Sequence, residues 1–103
     1  MKPFDCMLTI VVPKSLEEQL IDRLLEHSES VVGFTTTQVE GHGRAVKRHG
    51  IAEEVRGRSR RIQVQLVMNS EDAWLLLRDL KSDFANPEIA YWMLPISAFG
   101  RFA

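Results

Sequence analysis

The same succession of patterns runs twice along this chain, and a charged, glycine-containing stretch separates the two halves. In the first half, Asp5–Val12 is apolar and β-branched, with Leu8, Ile10 and Val12 on one face and Thr9 and Val11 on the other. A strand that is largely apolar on both faces belongs in the middle of a sheet. Pro13 ends it, and Ser15 and Glu18 then stand at capping-box spacing, which predicts a helix from Ser15. Leu16, Leu20 and Leu24, with Ile21 and Leu25, make its apolar stripe, and Glu17, Glu18, Asp22 and Arg23 lie largely away from it. The helix is expected to fray near His27–Ser30, where His27 places a favourable charge at the negative end of the helix dipole. Val31–Val39, rich in Val, Phe and Thr, reads as a second strand.

The second half repeats the order. Between Arg61 and Met68, Ile62, Val64 and Leu66 alternate with Gln63 and Gln65, the signature of a strand with one buried and one polar face. Asn69 or Ser70 can cap the next helix, whose buried face is predicted to hold Ala73, Trp74, Leu76, Leu77, Leu80 and Phe84. Ala85-Asn86-Pro87 is a turn, and Ile89–Ser97 a last strand containing Pro95. Proline cannot donate to a ladder, so this strand belongs at an edge or carries a bulge. The order β-α-β, long loop, β-α-β predicts an α+β ferredoxin-like fold: an antiparallel sheet with two helices on one face, in one domain over residues 1–103. That fold hosts many unrelated functions, so function has to be read from a site.

From Gly41 to about Arg60 regular structure is not expected, apart from a short helical turn over Ala52–Arg56. A structureless stretch of this length inside a small domain is uncommon and usually functional or disordered. Its charge is also distinctive. Seven of the chain's 13 basic residues lie between Arg44 and Arg61, namely Arg44, Lys47, Arg48, Arg56, Arg58, Arg60 and Arg61, against Glu53 and Glu54. The segment therefore carries +5 and the rest of the chain −6, which points to an anionic ligand or a partner surface; the alternative is a solvated loop.

A single cysteine, Cys6, excludes an internal disulfide, and its place in an apolar strand makes it a small core residue. No apolar run approaches the ~20 residues needed to span a bilayer, and the N-terminus lacks the apolar region of a signal peptide. A cytoplasmic protein with no direct membrane insertion is expected.

Residues Gly33 to Arg44 read Gly-Phe-Thr-Thr-Thr-Gln-Val-Glu-Gly-His-Gly-Arg. This resembles the second strand and T-loop entrance of PII signalling proteins, with Thr35, Val39, Gly41, Gly43 and Arg44 in register with Gly-Met-Thr and Val-x-Gly-x-Gly-Arg. Val12-Pro13-Lys14-Ser15-Leu16 sits where that family has Lys-Pro-Phe-Lys-Leu, and Arg61–Met68 matches the strand that closes the T-loop. Glycines allow close backbone approach to an anion, and an adjacent arginine supplies a charge-assisted contact. The resemblance implies a homotrimer with ligands in the clefts between subunits. Thr35, Gly41, Gly43 and Arg44 would line such a cleft, and Arg101 would reach it from a neighbouring subunit. It further implies a regulator that binds a small anion, such as an adenine nucleotide, and signals through the loop residues Lys47, Arg48, Arg56 and Arg58. The partner would be a membrane transporter or efflux component.

Three departures set the chain apart from nitrogen-signalling PII proteins. Phe84-Ala85-Asn86-Pro87-Glu88 replaces the glycine- and lysine-containing phosphate loop, the T-loop tyrosine is missing, and Arg-x-Arg is reduced to Arg101. The sequence is nearer to uncharacterised bacterial PII-like proteins, some of them associated with heavy-metal efflux. That association opens a second reading, a metal-binding accessory protein with His42 and His49 as transition-metal ligands. Their spacing is not a recognised ligand pattern and the surrounding charge opposes a cation, so exposed loop histidines are the competing reading. The chain holds no serine–histidine–acid pattern, no paired carboxylates at a plausible site and no Cys-His spacing, so an enzyme is not expected. Nucleic-acid binding on the sheet is not expected either, because Arg61–Met68 offers no aromatic on which a base could stack. Trp92, beside Tyr91 in the last strand, is a candidate subunit contact.

Overall fold

The structure, a computed structural model, describes residues 2–43 and 58–103, with Arg58 described in its backbone alone. Its elements run β1 (Cys6–Pro13), a 3-10 turn (Lys14–Leu16), α1 (Glu17–Glu26), β2 (Thr35–His42), β3 (Arg58–Met68), α2 (Ser70–Asp83) and β4 (Ala90–Pro95). The sheet order is β2-β3-β1-β4 with every neighbouring pair antiparallel, which is the ferredoxin-like arrangement.

β1 is central, as its two apolar faces require, and β4 is an edge strand whose last residue is Pro95, where a missing N–H does no harm. Cys6, Leu8, Ile10 and Val12 of β1 and Ile62, Val64, Leu66 and Met68 of β3 share one face and form the core with Leu20, Leu24, Ala73, Leu76, Leu77 and Leu80 of the helices. The opposite face carries Met7, Thr9 and Val11 beside Gln63, Gln65 and Trp92. Asn69 caps α2: its side-chain oxygen accepts from the N–H groups of Glu71 (3.0 Å) and Asp72 (3.4 Å), and Asp5 accepts from the Ser70 N–H at 2.8 Å.

Four features differ from the sequence expectation. The capping box at Ser15 does not form; after Pro13 (φ −56°) the chain tightens into the 3-10 turn, so Ser15 lies inside that turn, and α1 starts at Glu17 without a side-chain cap. The apolar stripe of α1 is narrower than predicted, with Leu20 and Leu24 buried, Ile21 half-buried and Leu25 exposed. The second strand is displaced toward the C-terminus. Successive turns close by His27 N–H to the Leu24 carbonyl and by Ser30 and Val31 N–H to the His27 carbonyl, so Val31 is used as a core plug and the ladder begins at Thr35. That ladder continues through Gly41↔Ser59 and His42↔Arg58, extending regular structure into the segment expected to be irregular. Finally, Trp74 is 55% exposed. The buried residues of α2 cluster around one helical direction, and Trp74 sits about 110° from its centre at the ~100° per residue of an α-helix.

Candidate functional site

At one end of the sheet, where β1 finishes and the connection 44–57 leaves β2, the ladder places Gly41 opposite Ser59, Val39 opposite Arg61 and Pro13 opposite Arg61. Directly paired residues share a face, so Gly41, Ser59 and Arg61 lie together on the face away from the helices. Arg61 is only 9% exposed. Burying a guanidinium is costly unless its donors are used, and two of them are: Nε donates to Ser59 Oγ at 2.9 Å and Nη1 to the Glu88 carbonyl at 2.7 Å. Glu88 is itself fixed, its N–H donating to Asn86 Oδ1 at 2.8 Å in an Asx turn. One side chain thus ties the β2–β3 arm to the start of β4, passing the end of β1.

Beside it lies a depression of ≈ 320 Å³ lined by Lys14, Gln38, Val39, Glu40, Arg60 and Arg61. Three cations meet one carboxylate there, and Lys14 also pairs with Glu17 at 3.3 Å. Glu40 and Arg60 are cross-strand neighbours. A basic hollow with a planar, pre-positioned guanidinium is suited to an oxygen-rich anion.

The residues predicted from sequence are only partly gathered there. Gly41 does not line the hollow itself but lies beside Arg61, whose side chain fills the space over its α-carbon. Gly43 follows with φ +147°, a backbone state that favours glycine, and open space around it. Thr35 shares the face of Gly41 but lies six residues away, about 20 Å along the strand. Arg101 is at the other end of the molecule: its guanidinium stands 5.5 Å from the ring of Phe99, which packs edge-on against Phe4 just before β1. Within one chain, therefore, Thr35 and Arg101 do not join Gly41.

Arg44, Lys47, Arg48, His49 and Arg56 lie outside the described residues, as does the side chain of Arg58, and so does the helical turn expected over Ala52–Arg56. His42 is exposed, with Nε2 3.8 Å from Glu40 Oε2, and among the described residues no three His, Cys, Asp or Glu side chains are grouped to hold a metal ion. Burial pushes the Cys6 thiol up, away from the thiolate form that nucleophilic chemistry needs. Among the described residues, no helix is long and apolar enough to cross a membrane.

Lys14, Ser59, Arg60 and Arg61 belong to no motif that marks them in the sequence as site residues. A usable signal was present, because a glycine inside a strand often marks close approach by another group. Identifying the approaching group as Arg61 needed the register.

The chain is thus a four-stranded ferredoxin-like sheet with a basic hollow at the root of the β2–β3 connection. The similarity to solved structures agrees. A crystal structure of a DUF3240 family protein from Shewanella baltica OS155 superposes with a TM-score of 0.77 at 18% identity, covering 98% of this chain and 99% of that one. CPII from Thiomonas intermedia K12, a nitrogen regulatory PII-like protein bound to ADP, AMP and bicarbonate, superposes with a TM-score of 0.69 at 19% identity over 95% of this chain and 96% of that one. CPII bound to ADP, AMP and acetate gives 0.68 at 18% identity, over 94% and 89%. The DUF3240 profile, which describes proteins of unknown function, matches residues 4–103, and the chain belongs to that family. No curated protein sequence matches it.

Proposed function

We propose that this protein is a PII-like regulator, not an enzyme, which binds a small anion such as an adenine nucleotide and reports that binding through the connection 44–57. The observation that carries this reading is the convergence of Lys14, Arg60 and the buried Arg61 on one hollow at the root of that connection. An anion seated there would bridge the two arms of the β2–β3 hairpin, so its binding energy would bias the conformation of the basic segment between them. CPII, of the same fold, is bound to ADP, AMP and bicarbonate. The separation of Thr35 and Arg101 from Gly41 within one chain fits a site completed across a subunit boundary, in a homotrimer. The partner addressed by the basic connection is a transporter or efflux component in the cytoplasmic membrane.

Calorimetry with ADP, AMP and bicarbonate tests this reading. Saturable binding is expected for at least one of the three, weakened about tenfold, or about 1.4 kcal/mol, by Lys14→Gln combined with Arg60→Gln, with the melting temperature unchanged. Silence across the panel from a monomeric chain overturns it.

A further inference from the structure

On the helix-covered side of the sheet, at the β4 edge, α1, α2 and β4 leave a cavity of ≈ 250 Å³. Its floor is Ile10 and Val12 of β1, and its walls include Leu20 of α1 and Leu77 of α2, all but fully buried. Phe84 and Ile89 close it on the side where the chain turns from α2 into β4. The opening lies where α2 stops at Asp83 and the chain turns through Asn86–Ile89 toward β4.

The rim has a different chemistry from the walls. Lys81, in the last turn of α2, donates from Nζ to Tyr91 Oη at 3.0 Å, and the same ammonium stands 4.7 Å from the centre of the Tyr91 ring. Both contacts are made by one uncharged side chain, Tyr91. Among the described residues Lys81 has no carboxylate partner, so a full positive charge is held by neutral groups at the mouth of an apolar cavity. Apolar walls with a few placed polar groups are the usual make-up of a small-molecule site, and the volume lies just below the 300–1,000 Å³ typical for drug-sized ligands.

We infer that this cavity is a second ligand site, which takes a small monocarboxylate with an apolar body. The hydrocarbon part enters between Leu20, Leu77 and Phe84, and the carboxylate stays at the rim on Lys81. The class follows from the two halves of the site. A purely polar anion gains nothing from the walls, and a neutral hydrocarbon leaves the ammonium with no counter-charge. Charge assistance by Lys81 then separates acids from alcohols of the same length.

Sodium octanoate is the probe, titrated into the full chain by calorimetry and by amide chemical-shift mapping, with 1-octanol and inorganic phosphate as controls. Octanoate is expected to saturate with shifts centred on Leu77–Tyr91, and both controls to bind there at least about tenfold more weakly. Lys81→Met should cost octanoate about tenfold and leave 1-octanol unchanged. Ala85→Trp, a substitution at an exposed rim position, should abolish octanoate binding without lowering the melting temperature. Equal affinity for octanoate and 1-octanol overturns the assignment, as does no binding, or binding that survives Ala85→Trp. Shifts at these residues that depend on protein concentration also overturn it, because a second copy would then be the occupant. Nucleotide binding at Lys14 and Arg60 is read separately in the same spectra, so either site can fail alone.

Discussion

The side chain of Arg61 lies in the space that a Cβ on Gly41 would need. Such a carbon would stand 2.7 Å from Arg61 Cδ, closer than packed atoms tolerate, and 3.2 Å from Ser59 Oγ, a tight contact. Gly41 has no positive φ, so what selects glycine there is room, not backbone conformation. Gly41→Ala is expected to displace the guanidinium from Ser59 and the Glu88 carbonyl and to destabilise the fold by about 1–3 kcal/mol, the usual cost of overpacking. Urea denaturation checks this. In the Gly41→Ala, Arg61→Ala double variant the two losses should not add, because the arginine that made the alanine costly has gone.

A second prediction concerns pH. His27 closes α1 with Nδ1 2.9 Å from the Arg23 carbonyl and Nε2 3.3 Å from Asp79 Oδ2 on α2. Both partners are acceptors, so only the doubly protonated ring satisfies both. The Arg23 carbonyl, aided by Asp79 and opposed by partial burial, holds the His27 pKa above its ordinary 6.5. The hydrogen bond from His27 in turn holds the Asp79 carboxyl below 3.8. A raised histidine contributes stability that is complete below about pH 6.5 and lost as pH rises through the higher folded value. A lowered carboxyl contributes above about pH 3.8 and loses it as pH falls through the lower folded value. The clasp is therefore complete between those limits. Thermal melts of the wild type should lose stability on the alkaline side relative to about pH 5, and His27→Gln should flatten that slope.

The start of α2 offers a third. Asn69 caps two N–H groups while its Nδ2 donates to the Pro3 carbonyl at 2.9 Å, so one side chain joins the helix to the N-terminal segment. Asn69→Ala is expected to cost about 1–2 kcal/mol in denaturant unfolding, at the upper end for caps because that tie is lost too. Asn69→Asp should restore the cap but not the tie, since a carboxylate cannot donate to a carbonyl.

Much of this fold was legible because its strong signals are local. The alternation of Ile62, Val64 and Leu66 with glutamines fixed the faces of β3, and Pro95 left β4 either an edge strand or a bulged one, of which the sheet takes the edge. What misled was apolar composition without geometry. Val31 is a core residue and Phe34 packs against the core, yet both precede β2, and the Ser30 and Val31 N–H groups bond back to the His27 carbonyl instead of a ladder partner. Trp74 matches its buried neighbours in hydrophobicity, although rotation of the helix carries it to the flank. The candidate site was harder still. Gly41 was visible, but its relation to Arg61 depends on a β2–β3 register that spans a long connection and leaves no short-range trace.

The last prediction concerns the sheet face that the helices leave bare. Register places Trp92 opposite Thr9 and Leu94 opposite Met7, so both side chains are on that face, and in the single chain they are 44% and 52% exposed. Large apolar side chains projecting together from an uncovered sheet mark a surface built for contact with protein. A domain this small buries a limited fraction of its surface, so association would add stability. If the trimer proposed above packs through this face, Trp92→Glu should convert it to a monomer in light scattering while the far-ultraviolet circular dichroism is kept. Dilution of the Trp74→Phe variant should shift the remaining tryptophan emission to the red as Trp92 meets water. A Trp92→Glu protein that remains trimeric would show that the subunits meet elsewhere, and a wild type that is monomeric at every concentration would leave the inter-subunit site without its second wall.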